Sequence, residues 1–224
     1  MLRMIPPFRI DAKWREQRTL HDGSRVRMRM LRPTDRERLA VAFRRMSPVS
    51  RYRRFMTPKG ELTDAELRYL TDIDGVDHVA IAAQSCIPGR RGEGIGLARF
   101  VRIKGEPDVA EAAVAVTDDW QGRGLGRLLL RRLVTAARER GIRRFRCSVL
   151  AENAPMLALL GGVRAVGEPA DTGELSFDVP LPEASPPTLL DPSLALDPVR
   201  ALATAELVLR LTAQGILDLL GIRR

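Results

Sequence analysis

Residues 116–127 read V-T-D-D-W-Q-G-R-G-L-G-R. They join an apolar, strand-like stretch ending near Thr117 to a helix-like stretch running to Arg140. The turn between them holds three glycines. Glycine removes side chains there, so backbone N–H groups of the first helical turn can face a phosphate oxygen. The helix dipole adds favourable potential, and Arg123 and Arg127 add formal charge. The helix carries Arg131, Arg132, Arg138 and Arg140 against one acid, Glu139. That balance suits a polyphosphate ligand.

Two familiar phosphate motifs do not fit this turn. A dinucleotide-binding turn needs G-x-G-x-x-G, but the third glycine comes one residue early and Arg127 stands in its place. A P-loop needs G-x-x-x-x-G-K-[ST], and no lysine lies nearby. Gly92-x-Gly94-x-Gly96 precedes strand-like sequence and reads as a hairpin turn. What matches is Q-x-x-G-x-G at Gln121, Gly124 and Gly126.

Around the turn, residues 25–31 alternate arginine with Val26, Met28 and Met30, the period of a half-buried strand. Thr34 and Glu37 have capping-box spacing for a helix to about Met46, Ser47-Pro48 restarts a short one, and Thr63 with Glu66 caps another. Strands are expected at 78–84, 95–102 and 109–117, with breaks at 87–94 and 105–107. Leu125, Leu128, Leu129, Leu133 and Ala136 follow helical spacing until Gly141. A strand over 144–150, a short helix over 154–160 and a strand over 175–179 complete the pattern. The order is β-α-α-α-β-β-β-α-β-α-β, an α/β (α+β) chain with a mixed central sheet flanked by helices. Residues 1–24 read as a basic arm, 25–180 as the folded domain and 181–197 as a proline-rich linker. Residues 198–224 read as a C-terminal helical extension. It is apolar on more than one face, so it packs on its own domain or forms a homodimer contact.

Composition removes several function classes. Hydrophobic residues make up 45% and charged residues 29%, a globular balance. No apolar run approaches the roughly 18–20 residues of a membrane span. The first ten residues are too proline-broken for a signal peptide, so a cytoplasmic location and no membrane partner are expected. Cys86 and Cys147 stand alone and His21 lies far from His78, which gives neither a disulfide framework nor a metal cluster. The net charge is +9, and residues 1–60 hold 17 basic against 5 acidic side chains. Lys13, Lys59 and Lys104 are the lysines; the other 34 of 37 basic residues are arginine. This bias fits either a GC-rich genome or a surface that meets an anion. Aromatic residues are only 4%, which argues against nucleic-acid binding by base stacking.

With its glycine turn, the strand before it, Trp120-Gln121, the basic helix, R-F-R-C-S-V-L at 144–150 and Asn153, the chain resembles the GNAT superfamily of acyl-CoA-dependent N-acyltransferases over residues 25–180. Within it, S-R-Y-R-R-F at 50–55, D-H-V-A at 77–80, G-L-A-R-F at 96–100, A-E-A-A at 110–113 and V-L-A-E-N at 149–153 look like segments of the bacterial protein lysine acetyltransferases. Members often carry a fused regulatory or ligase-like domain; with about two dozen residues ahead of the first expected strand, none is expected here. The resemblance implies a GNAT fold with acetyl-CoA as co-substrate and no metal. It implies a pyrophosphate on the amides of Gln121, Gly122, Arg123, Gly124, Leu125, Gly126 and Arg127. Val114, Ala115 and Val116 would bond the pantetheine arm through their backbone, and Asn153 would contact the same arm.

An alkylamine has a pKa of about 10.4, so about one molecule in a thousand is nucleophilic near neutrality. A carboxylate beside the acyl group is the usual means of removing its proton. Glu111 is the acid inside strand 109–117, flanked by Ala110, Ala112, Ala113 and Ala115. The resemblance puts a general-base Glu at that position; the plain alternative is a solvated carboxylate on a strand face. One amide among Val114–Val116 could stabilise the oxyanion. Family members often carry a Tyr after the Asn153 position that protonates the leaving thiolate. Here Leu159-Leu160 stands there, and the tyrosines are Tyr52 and Tyr69. Gly161-Gly162-Val163 likewise departs from the usual L-G-F or L-G-A. Cys147 reads as a buried structural residue and His78 as structural or substrate-proximal. The Arg51–Arg54 cluster reads as either a solvated face or a wall of the acceptor groove. The expected activity is acetyl transfer to a primary amine, with a protein lysine side chain preferred over a small-molecule amine. A non-catalytic acyl-CoA sensor and a nucleic-acid-binding protein are the rivals.

Overall fold

A computed structural model describes residues 8–55, 57–87, 92–150, 166–170 and 174–181. Asn153, the short helix expected at 154–160, the linker beyond Leu181 and the C-terminal helix lie outside the described residues. Eight strands form one sheet: β1 (Arg15–Thr19), β2 (Arg25–Met30), β3 (His78–Ser85), β4 (Gly94–Ile103), β5 (Glu106–Val116), β6 (Arg144–Leu150), β7 (Val166–Ala170) and β8 (Glu174–Pro180). Their order is β1-β2-β3-β4-β5-β6-β8-β7. Every neighbouring pair is antiparallel except β5 with β6. A parallel pair needs a long crossover, and helix α4 (Leu125–Glu139) supplies it.

The mixed sheet agrees with the expected class, but two strands were not visible in the sequence. β1 is R-E-Q-R-T, exposed on nearly every residue, and it pairs with β2 through a turn at Gly23 (φ 81°). Without an apolar face it has no period-two signal. The basic segment ahead of residue 25 thus contributes an edge strand. β7 contains Gly167 and Pro169, which read as breakers; at the edge of the sheet the missing N–H of proline is tolerated.

Alternation sorts side chains onto two faces. Val26 and Met28 of β2, Ile81 of β3, Ala98 and Phe100 of β4 and Ala112 and Val114 of β5 are all fully buried. They share a core with Leu125, Leu129, Leu130 and Leu133 of α4. Gly141 (φ 78°) ends that helix: its amide donates to Arg138 O and the Ile142 amide to Ala137 O, each at 3.0 Å, a Schellman closure. Arg140, just before it, is buried and donates to the carbonyls of Gly75, Ala136 and Ile10. Its guanidinium stacks 4.0 Å from the Phe8 ring, which fastens the N-terminal segment to the helix end.

Helices α1 (Arg36–Arg44), α2 (Pro48–Phe55) and α3 (Asp64–Thr71) follow β2 and cover the opposite face. Ser47 caps α2 by accepting from the Ser50 amide at 3.1 Å. Thr63 and Glu66 form the expected capping box of α3. The start of α1 differs from the Thr34–Glu37 box. A 3-10 turn over Pro33–Asp35 comes first, and Asp35 accepts from the Arg32 amide at 2.9 Å. Arg29 holds Asp35 with two bonds of 2.7 Å, so the buried carboxylate prevails over the exposed Thr34.

Candidate active site

β5 and β6 are paired over three residues: Val109 with Arg144, Ala110 with Phe145 and Glu111 with Arg146. β5 continues to Val116 and β6 to Leu150, but beyond Glu111 no residue of one is paired with the other. The two parallel strands part there. The direction of the free backbone groups follows from the ladder on the other side. Thr117 N donates to Ile95 O of β4 at 3.1 Å, whereas Asp108 O accepts from Arg143 N ahead of β6 at 2.7 Å. Alternation therefore turns Val114 and Val116 toward the gap and Ala115 toward β4. Of the expected pantetheine-binding residues, Ala115 has its backbone committed to the sheet, while Val114 and Val116 face the opening.

The turn after β5 is open. Gly122 (φ 70°) and Gly124 (φ 83°) take left-handed backbone that other residues rarely adopt. A Cβ at either would meet nothing within 4 Å, and at Gly126 only Val116 Cγ2 at 3.8 Å. Among the described residues, the amides from Gly122 to Gly126 donate to no backbone carbonyl, and the helical ladder begins with Leu128 N to Gly124 O at 3.1 Å. Orphaned amides, the dipole of a 15-residue helix and absent side chains make an anion cradle. Arg123 stacks 4.9 Å from the Trp120 ring and reaches Asp22 at 3.2 Å. Arg127 lies on the first turn of α4. The Gln121 side chain points back: its Nε2 donates to Val116 O at 3.1 Å and to Ser50 Oγ at 3.4 Å. It braces the turn against β5.

A second brace was missed from sequence. Asp118 accepts from Ser47 N, Ser47 Oγ and Ser50 Oγ, each at 2.8 Å. Burial opposes its charge, but these donors outweigh it and hold the carboxyl below its usual range. Arg45 adds a bond of 2.6 Å to Asp119. The D-D pair before Trp120 was the available signal, without an indication of its partner.

Glu111 is half-buried and accepts no hydrogen bond among the described residues. Register places it in one row with His78, Val101, Arg146 and Asp178, on the face toward α1–α3. Burial raises its pKa, while Arg99 and then Arg146 oppose that rise. A half-buried carboxylate in an alanine-rich strand, at the point where two strands separate, is placed to exchange a proton. On the same face, a narrow apolar cleft runs between the helices and the sheet, lined by Phe43, Met46, Phe55, Leu62, Leu97 and Ala115. Arg54 is buried against the Phe55 ring at 4.9 Å and belongs to this wall; Arg51 stacks on Phe43 at 5.6 Å. His78 is buried and its pKa is pushed down to about 3, first by desolvation and then by Arg99. Cys147 is buried in the core, and burial pushes its thiol up.

Residues 51–161 match the acetyltransferase (GNAT) family model. Acetyltransferase PA5475 of Pseudomonas aeruginosa is 35% identical over 150 residues, 67% of this chain and 80% of that protein. The chain belongs to the GNAT acetyltransferase family. Acetyltransferase Pat of Mycolicibacterium smegmatis is 34% identical over 155 residues, 69% of this chain but 45% of that protein, so the match spans less than half of its length. The GNAT domain of S. lividans PAT superposes with a TM-score of 0.66 at 34% identity, covering 76% of this chain and 98% of that domain. The resemblance read from the glycine turn and its flanking strands is thereby established, and the enzyme class is acyl transfer.

Proposed function

We propose that this chain is an acetyl-CoA-dependent N-acetyltransferase acting on a primary amine, with a protein lysine side chain as preferred acceptor. The observation that carries the reading is the parting of β5 from β6 directly above an open glycine turn. The residues fit such a co-substrate. The open amides of Gly122–Gly126 bind the diphosphate, and the inward groups of Val114 and the Val116 amide bond its amide-bearing arm. Gln121 holds the turn in place. Glu111 takes the proton from the acceptor ammonium or amine, the nitrogen bonds to the thioester carbonyl carbon, and the carbon–sulfur bond breaks. The thiolate then takes a proton from water. Holding both reactants in one cleft supplies much of the acceleration.

The acceptor preference rests on the resemblance to lysine acetyltransferase segments and on the apolar cleft beside Ala115, which suits the methylene stem of a lysine. The concavity of the same cleft favours a second reading, a small-molecule amine. Thiol release from acetyl-CoA, measured with a panel of amines and paired with mass spectrometry of a treated lysate, separates the two. Acetylated lysines in the lysate support the first, and release with free amines alone supports the second. Tight acetyl-CoA binding without release on any acceptor would leave a sensor and refute both.

A further inference from the structure

Arg99 lies on β4 with none of its surface exposed. Nε and both terminal nitrogens of its guanidinium have no hydrogen-bond partner among the described residues. Its Cζ sits 4.8 Å from the ring centroid of Tyr69 on α3. Register pairs Arg99 with Ala113 and Val101 with Glu111, so Arg99 and Glu111 are diagonal neighbours on one face of adjacent strands, within reach of long side chains. Taking a cation out of water without hydrogen bonds is costly. A strand reading G-I-G-L-A-R-F-V would be more stable with an apolar residue there.

We propose that Arg99 is a positioning residue for the acid–base step, a buried fixed cation that keeps the Glu111 carboxylate charged and turned to the acceptor. This rests on the transferase reading with Glu111 as the base. Burial drives Glu111 toward its neutral form, and Arg99 is the foremost opposing charge, ahead of Arg146. Burial lowers Arg99 itself to about 10, so it remains a cation at neutral pH. The other groups on this face do not take its place. On β6, Arg146 is already held by Glu106 at 2.6 Å and by Asp178 of β8 at 2.8 Å. Arg144 also reaches Asp178, at 3.3 Å. His78 on β3 is neutral above about pH 3. Tyr69 stacks its ring on Arg99 and its side chain helps to hold that cation.

The test is the pH dependence of kcat/KM for the acceptor in Arg99→Met, Arg99→Lys and Glu111→Gln, with acetyl-CoA affinity and Tm measured alongside. Met matches the length of the buried stem and removes an unpaired charge, a change that is often neutral or stabilising. Arg99→Met is expected to keep its Tm and acetyl-CoA affinity while the acid limb moves up by about one to two pH units. Below the limb, that lowers the rate about tenfold or more. Arg99→Lys restores the charge and brings the limb back toward its original place. An unmoved limb in Arg99→Met, where Glu111→Gln has lost the limb, overturns the role of Arg99 and leaves the base intact. A limb that persists in Glu111→Gln overturns the base itself. Should Arg99→Met fail to fold, Arg99→Gln reads the same limb. Failure of both to fold would make Arg99 a structural residue and overturn the proposal.

Discussion

Ser47 gives both its amide and its hydroxyl to Asp118, each at 2.8 Å, fastening the start of α2 to the turn ahead of α4. Helix α2 and the open glycine turn are therefore joined by one carboxylate. Asp118→Ala removes three charge-assisted bonds and is expected to lower stability by about 2 kcal/mol, read by urea denaturation. Acetyl-CoA affinity should fall as well. The Asp118 pKa is depressed in the folded chain. Its contribution is present above the ordinary carboxylate range and fades as pH falls through the folded value. The difference between wild type and Asp118→Asn should shrink over the same interval.

Two glycines of the turn can be told apart. Gly124 has φ 83°, so Gly124→Ala is expected to cost about 1–2 kcal/mol of stability from backbone strain alone. Gly126 is helical, and a methyl there meets only Val116 Cγ2 at 3.8 Å. Gly126→Ala should leave Tm unchanged or raise it, since Ala outranks Gly in a helix by about 1 kcal/mol. If the cradle holds a diphosphate, that same methyl fills the ligand's room. Calorimetry should then show acetyl-CoA affinity at least tenfold weaker in a protein that is no less stable.

Glu111→Gln keeps the shape of the side chain and removes the proposed base. Acetyl-CoA binding should stay within about twofold, while turnover falls about a hundredfold or more. The loss should be greatest at pH values below the acceptor's own pKa, where deprotonation limits the rate. Steady-state kinetics across pH would show the acid limb gone; a limb unchanged from wild type would remove Glu111 from the mechanism.

Packing between sheet and helix gives a prediction independent of any ligand. A Cβ at Gly96 would stand 2.9 Å from Leu129 Cδ1 and 3.3 Å from Ala115 O. Gly96→Ala is therefore expected to cost about 1–3 kcal/mol. Leu129→Ala, at a fully buried position, should cost about 2–5 kcal/mol by leaving a cavity. Together they should destabilise by less than the sum, with a coupling near 1 kcal/mol, because the new methyl enters the space the leucine leaves.

What could be read before the structure was known, and what could not, divides along physical lines. The turn at 122–127 was legible because a left-handed backbone leaves glycine in the sequence. β2 and α4 were legible because each has one wet and one dry face. β1 lacks a dry face, and β7 carries a proline that only an edge strand accepts. The commitment of Ala115 to β4 could not be foreseen, since the edge to which a strand's amides turn depends on register with a partner. The start of α1 was misplaced by one residue's identity: Thr34 has the capping spacing, but Asp35 has Arg29. Arg99 carried a signal, a charge inside an apolar strand, yet Tyr69 above it and Glu111 beside it are 30 and 12 positions away in the chain.

Past Glu111 the pairing of β5 with β6 ends, and the β5 wall offers peptide groups at peptide spacing. A guest that lies along it must behave as a length of backbone, with its own amides alternating in step with Val114 and Val116. Selection in that slot would act on the β-alanine and cysteamine linkages of the coenzyme, leaving the purine ring outside the reading frame. Short thioesters that keep those two amides should therefore serve as donors long after the nucleotide has been cut away.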